Sequence, residues 1–238
     1  MRDLRGATFV CSWSGGKDAC LAFHRAVAAG GVPGALICLA RENGEATLTH
    51  GMPIALVRAQ AERLGLPLDV CPGSWHDYEL VWAQALRRQR EAGVEAAVFG
   101  DLHITRHRDW ERQVCRGLGL RPLHPLWKES SRVLAGELLA TRTKALITCL
   151  LAERLDKSFL GREITSALLN ELEAAGVDPF GEHGEYHTLV THAALFSKPI
   201  EAAPTGEYLH DGHWYLDFGT GAPPAGSASP RPRTGGIQ

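Results

Sequence analysis

Residues 7–28, ATFVCSWSGGKDACLAFHRAVA, constrain this chain more than any other stretch. The apolar, β-leaning run 8–11 predicts a buried strand, residues 12–16 a tight loop, and residues 17–28 a helix with Ala, Leu and Phe on one face. Such a junction aims unpaired backbone N–H groups and the positive end of a helix dipole at one point. Gly15 and Gly16 let a ligand approach that point with no Cβ atoms in the way. The ligand this arrangement suits is a phosphate, the plain alternative being a Ser-capped helix after a glycine turn.

Spacing narrows the kind of loop. A Walker loop needs Gly four residues before Gly-Lys-Ser/Thr, but Cys11 stands where that Gly belongs and Asp18 replaces the hydroxyl. No G-x-G-x-x-G can be placed here either. The residues resemble the S-G-G-x-D-S loop of the ATP pyrophosphatases, enzymes that split ATP between the α and β phosphates, with Ala19 in place of the final Ser. The resemblance implies ATP and Mg²⁺ as ligands. Ser12, Ser14, Gly15, Gly16, Lys17 and Asp18 would form the nucleotide cradle, with Lys17 as a point charge and Asp18 capping the helix or approaching Mg²⁺.

The chain has 238 residues, 45% apolar and 22% charged, enough for one large or two small globular domains. A formal charge of −2, with no basic run beyond residues 87–90, argues against bulk nucleic-acid binding. The six Cys are scattered in apolar runs without a C-x-x-C pair, as expected of small buried hydrophobes in a reducing cytoplasm. No run approaches 18 apolar residues, so neither a membrane span nor a signal segment is expected.

Further strands are predicted over 32–40, 66–71 and 95–100, alternating with helices over 53–64, 76–92 and 106–118. This alternation predicts an α/β fold with a doubly wound, Rossmann-like parallel sheet and its ligands at the carboxyl ends of the strands. Asp101 follows the fourth strand and should lie at that edge beside the phosphate loop. Two prolines in 121–127 are expected to forbid regular structure there, which sets the boundary between an ATP-binding unit over 1–124 and a smaller α+β unit over 125–218. In the second unit helices are expected over 131–141 and 164–175, and strands over 145–151, 189–191 and 215–218. Residues 219–238 are rich in Pro, Gly and Ser and should be disordered.

A second constellation, DPFGEHGEYHT over 178–188, crowds three acids, two His and two Gly into a short span. His183 and His187 are four apart, yet H-G-E-Y-H matches neither zinc-protease spacing, and the glycines oppose the helix that would align them. A dedicated zinc site is not expected, and His103 and His107 read as lone surface imidazoles.

Together with residues 14–18, the segments Phe99-Gly100-Asp101, Trp110, Pro125-Leu126-Trp127, Phe159-Leu160-Gly161-Arg162 and 181–188 occur in the order found in the diphthine–ammonia ligase family, a match running over residues 9–196. Those enzymes are adenine nucleotide α-hydrolase-like ATP pyrophosphatases. They adenylate a carboxylate, release AMP and pyrophosphate, and form an amide with ammonia on elongation factor 2. The resemblance implies catalytic roles for Lys17, Asp101, Glu182, Glu185 and His187, substrate contacts from Trp127, Tyr186 and Thr188, and Mg²⁺ at Asp18 and Asp101. The partners it implies are ammonia and a protein or small-molecule carboxylate, with assembly into a homo-oligomer left open. The chain departs from the ligases at His187, where they carry Glu. The G-E-Y-H-T form resembles the bacterial branch, for which a role in corrinoid salvage is suggested. Two rivals are a tRNA-modifying enzyme with the same loop, opposed by the missing C-x-x-C pairs and basic surface, and a nucleotide sensor without turnover, favoured by Ala19.

Overall fold

A computed structural model describes residues 4–219. Five parallel strands, β1 (Thr8–Ser12), β2 (Val32–Ala40), β3 (Leu68–Pro72), β4 (Ala96–Val98) and β5 (Arg121–Leu123), form a sheet in the order β3-β2-β1-β4-β5. The helices α1 (Lys17–Ala28), α2 (Ile54–Leu64), α3 (Tyr78–Glu91) and α4 (Thr105–Gly117) supply the crossovers. The chain runs outward in one direction from β1 and in the other from β4, so the switch point lies between those two strands. The residues that follow them are the phosphate loop and Asp101.

One expectation fails here. Residues 121–127 do contain regular structure, since Arg121–Leu123 pairs with β4. The pairing survives Pro122 because β5 is an edge strand. The amide of Arg121 points inward to Glu95 and Phe99 donates back to Leu123, while Pro122 occupies the outward-facing position, where no N–H is required.

The remainder is a four-stranded antiparallel sheet, β7-β6-β9-β8, made of β6 (Lys144–Leu151), β7 (Tyr186–His192), β8 (Gly206–His210) and β9 (His213–Asp217), with α5 (Ser131–Ala140) and α6 (Ser166–Ala174). β7 begins at Tyr186, inside the expected loop, and β8 has no counterpart among the expected strands. Most positions of β8 are exposed, so its hydrophobic signal is weak. The expected tail lies, beyond Gly219, outside the described residues.

One hydrophobic core joins both halves. Phe9, Cys11 and Phe23 from the parallel sheet and α1 belong to the same buried cluster as Leu134, Ile147 and Leu189. The helix that starts at the phosphate loop thus packs against β7, and this brings the two sequence constellations together.

Candidate nucleotide site

The loop is aimed by the strand before it. Trp13 N–H still donates to Ile37 of β2 at 2.8 Å, and from Ser14 the chain leaves the sheet. Gly15 adopts φ +82°, and Gly16 stands at the N-cap of α1 with no side-chain cap. The amides of Ser14 and Gly15 make no hydrogen bond among the described residues, while Gly16 N–H reaches only Ser14 Oγ, at 3.3 Å. These are the donors a phosphate requires.

Gln60 on α2 holds the loop in place and was not among the expected site residues. Wholly buried, it accepts Trp13 Nε1–H at 2.9 Å and donates from Nε2 to the carbonyls of Gly15 at 3.0 Å and Val190 at 2.7 Å. Val190 N–H in turn donates to the Gly15 carbonyl at 2.9 Å. A Cβ at Gly15 would lie 2.9 Å from Gln60 Oε1, so both the backbone angle and the packing demand glycine. The available signal was an amide within the apolar stripe of α2, beside Val57 and Ala61.

β7 closes the other side. Thr188 Oγ1 accepts the Lys17 N–H at 3.0 Å, and a Cβ at Gly16 would lie 3.2 Å from the Thr188 carbonyl. Lys17 itself is buried and folds back from the loop. Its Nζ lies 3.1 Å from Asp18 and sits over the rings of Phe180 and Tyr186, 4.5 and 5.2 Å from their centroids. Burial pushes the Asp18 carboxyl up, against the pull of Lys17 and with a further push from Asp101. Asp18 Oδ1 is sealed from solvent and pairs only with the Lys17 ammonium, 3.1 Å away, whose hydrogen bond goes to Oδ2.

Asp101 is placed beside this point, as expected. Gly100 packs so closely on α1 that a Cβ there would lie 3.0 Å from the Ala19 nitrogen. Behind Asp101 is a cluster missing from the sequence reading. His107 Nδ1 lies 3.3 Å from Asp101 Oδ1, Glu111 shares a hydrogen bond with Asp101, and His124 Nε2 lies 2.6 Å from Glu111 Oε2. Burial first, and Asp101 second, hold Glu111 protonated, while burial pushes His124 down to about 4. Hence Glu111 and His124 are both neutral near pH 7.

The acids of the second constellation divide. Glu182 faces His103 Nδ1 at 2.6 Å, and burial and Asp18 push its carboxyl up. His103 is therefore a hydrogen-bond partner of Glu182 and not a lone surface imidazole. Glu185 turns into its own loop, only 1% exposed, and accepts the amides of His183 at 2.9 Å and Asp178 at 3.5 Å. Both its oxygens are thus turned toward amides of that loop. His187 stacks on His50 with ring centroids 4.0 Å apart. Burial, the neighbouring imidazole and Lys17 keep His187 well below its ordinary value, and burial and Lys17 bring His50 to about 4. Both rings are neutral. Trp127 offers its face to the Arg108 guanidinium, 4.3 Å away, and Tyr186 donates its hydroxyl to Pro179 at 2.7 Å. The ring faces expected to contact a substrate are thus covered by cations of the protein.

Ser12 remains in the sheet, paired with Ile37, so only its side chain is available to a ligand. No group of three or more His, Cys, Asp and Glu among the described residues is arranged to hold a metal by itself. Asp18 Oδ1, which takes no hydrogen bond, with Asp101 nearby fits Mg²⁺ in the form in which it is usually held, by one or two carboxylates with phosphate oxygens and water.

Two family models match this chain. Residues 7–122 match the diphthamide synthase N-terminal domain and residues 131–221 the diphthamide synthase C-terminal domain. The chain belongs to the diphthamide synthase family. Among curated members, the diphthine–ammonia ligase of Rattus norvegicus is 27% identical over 226 residues, covering 83% of each chain. That of Danio rerio is 26% identical over 87% of this chain and 90% of its own. A solved structure described as a predicted subunit of tRNA methyltransferase from Methanocaldococcus jannaschii covers 82% of this chain, with 16% identity and a TM-score of 0.45. Within the family frame, the first matched region contains the phosphate loop and Asp101, and the second contains the strand that carries Thr188. No helix among the described residues is long and apolar enough to cross a membrane.

Proposed function

We infer that this protein is an ATP-dependent ligase that converts a carboxylate to an amide. In the first step the carboxylate attacks the α-phosphorus of ATP, forming an acyl adenylate and expelling pyrophosphate. In the second, ammonia attacks the acyl carbon, with AMP as the leaving group. The observation that carries this reading is the junction of Gly16, Lys17 and Thr188, which unites a loop with open amides and the acid-rich segment in one site.

The chain's residues divide the work. The amides of Ser14 and Gly15 and the start of α1 hold the β and γ phosphates, where fixed donors stabilise the charge of the leaving group. Gln60 and Val190 keep those donors aligned. Asp18 and Asp101 would hold Mg²⁺, which when bound offsets charge on the departing pyrophosphate. Glu182 and its partner His103 lie close enough to Asp18 to feel its charge and are suited to receive a proton from the incoming amine.

The acceptor is a small-molecule carboxylate, not diphthine. Diphthine carries a fixed trimethylammonium cation, and a carboxylate at position 187 would attract it. Here a neutral imidazole stands at that position, and the Trp127 face is already taken by Arg108. An ion pair about 4 Å apart is worth about 4 kcal/mol at an effective dielectric of 20, so its loss removes a large share of affinity for a cationic acceptor. The six buried, unpaired cysteines support the cytoplasm as the site of action.

The test offers ATP, Mg²⁺ and ammonium with diphthine-bearing elongation factor 2 to wild type and His187→Glu, and in parallel with a metabolite extract. AMP and pyrophosphate with a carboxylate-to-amide mass change in the extract are expected from wild type. ADP as product would refute the adenylation chemistry. Efficient amidation of the elongation factor by wild type would refute the small-molecule acceptor alone.

A further inference from the structure

Lys17 is the only lysine or arginine that is buried among the described residues, and its surroundings resemble a ligand site more than a resting place. Its Nζ lies 3.1 Å from both Asp18 oxygens and faces the rings of Phe180 and Tyr186 at 4.5 and 5.2 Å. Two ring faces and a carboxylate form an environment that recognises an ammonium ion.

The walls of this cage stand without Lys17. Phe180 is fixed by its amide donating to Asp178 Oδ1 at 2.8 Å, and Tyr186 by its hydroxyl on the Pro179 carbonyl at 2.7 Å. Gly181, at φ +68°, lets the backbone pass the Tyr186 ring, which a Cβ would approach to 3.0 Å. When Lys17 leaves, Asp18 Oδ2 loses the donor it now has, and Oδ1, 3.1 Å from the same ammonium, has no other partner.

Lys17 is also the first residue of α1, directly after the loop that takes the phosphates. A bound triphosphate offers its side chain several negative charges in place of one. We propose that the cage of Phe180, Tyr186 and Asp18 is the subsite of the amine nucleophile, occupied by the Lys17 ammonium until ATP draws that side chain onto the phosphates. This rests on the ligase reading and adds an order to it: nucleotide first, ammonium second. The cage requires a cation with N–H groups to give Asp18 Oδ2, and leaves Oδ1 to Mg²⁺, which ring faces cannot serve because Mg²⁺ surrenders its water reluctantly.

Methylammonium is the probe, titrated calorimetrically into the full-length protein at constant ionic strength, with and without Mg²⁺ and α,β-methylene ATP. The analogue should tighten methylammonium binding about ten-fold or more, and tetramethylammonium should not compete. Phe180→Leu should weaken methylammonium about ten-fold with the analogue's affinity unchanged. Lys17→Ala should bind methylammonium without any nucleotide, an arm that decides the matter if Phe180→Leu does not fold. Equal methylammonium affinity with and without bound analogue, competition by tetramethylammonium, or no binding to Lys17→Ala would each overturn the cage. Failure of the analogue itself to bind wild type would instead overturn the ligase reading and the exchange built on it.

Discussion

The hydroxyl of Thr188 accepts the backbone N–H of Lys17 at 3.0 Å, joining residues 171 apart in sequence. A helix N-terminus that could hold a phosphate is thereby satisfied by a neutral oxygen from the opposite half of the chain. The phosphate loop and the strand beginning at Tyr186 are therefore one structure, and a phosphate placed at the start of α1 would compete with Thr188 for that amide.

Thr188→Val should cost about 1 kcal/mol of stability in the absence of nucleotide, the usual worth of a helix-capping hydroxyl. With saturating ATP analogue that difference should shrink, because a phosphate oxygen takes over the amide. Thermal denaturation with and without the analogue measures both values. A difference that stays constant would mean that the phosphates do not reach Lys17 N–H.

Gln60→Leu keeps much of the buried volume but strips the partners from Trp13 Nε1–H and the Val190 carbonyl. Each buried group left unpaired costs roughly 1–3 kcal/mol, so a loss of about 2–5 kcal/mol is expected. Because the same bonds hold Gly15, affinity for the ATP analogue should also fall, by about ten-fold or more, at a temperature where the variant is fully folded. Unchanged affinity in the folded variant would show that Gln60 serves stability alone.

His50 titrates at about 4 in the folded protein, below its ordinary value of 6.5, so the unfolded chain binds the extra proton first as pH falls. Stability from this group is complete above the unfolded value and drains away between about 6.5 and 4, by up to about 3 kcal/mol. His124 is lowered in the same sense and Glu111 raised in the opposite one, so the informative quantity is a difference. His50→Asn should show a shallower loss of stability than wild type across that window in urea denaturation at a series of pH values. Parallel curves would contradict a neutral His50.

Glu111 works in the other direction. Its folded value is raised, so above about pH 4.5 the unfolded chain ionises while the folded one retains the proton, and stability falls as pH rises. Glu111→Gln mimics the protonated acid, keeps an amide to donate and removes that cost. The variant should be more stable than wild type by at least about 1 kcal/mol near pH 8, with the gain vanishing toward pH 4. A destabilised variant at pH 8 would mean that Glu111 is ionised beside Asp101.

The sequence by itself determined the local units of this protein. Strand 8–11, the glycine turn and the helix from Lys17 are legible because each depends on neighbours in the chain: β-branched and aromatic residues in a strand, Gly at φ +82°, an apolar face at helical spacing. Asp101 was placed correctly for a related reason, since alternating strands and helices leave little choice about which edge follows β4. Local signals were weaker where a partner decides the outcome. Pro122 forbids a central strand but not an edge strand, and only the sheet order distinguishes them. Nothing in the run 181–188 shows that Glu182 faces His103 while Glu185, three residues on, is consumed by the amides of its own turn. Gln60, His50 and Glu111 reach the site from helices and loops with no motif of their own, because their task is to satisfy or neutralise groups supplied by distant segments. Which side chain meets which amide, and which acid keeps its proton, was decided by packing α1 between the parallel sheet and β7, since both questions depend on burial and on partners that the linear order does not contain.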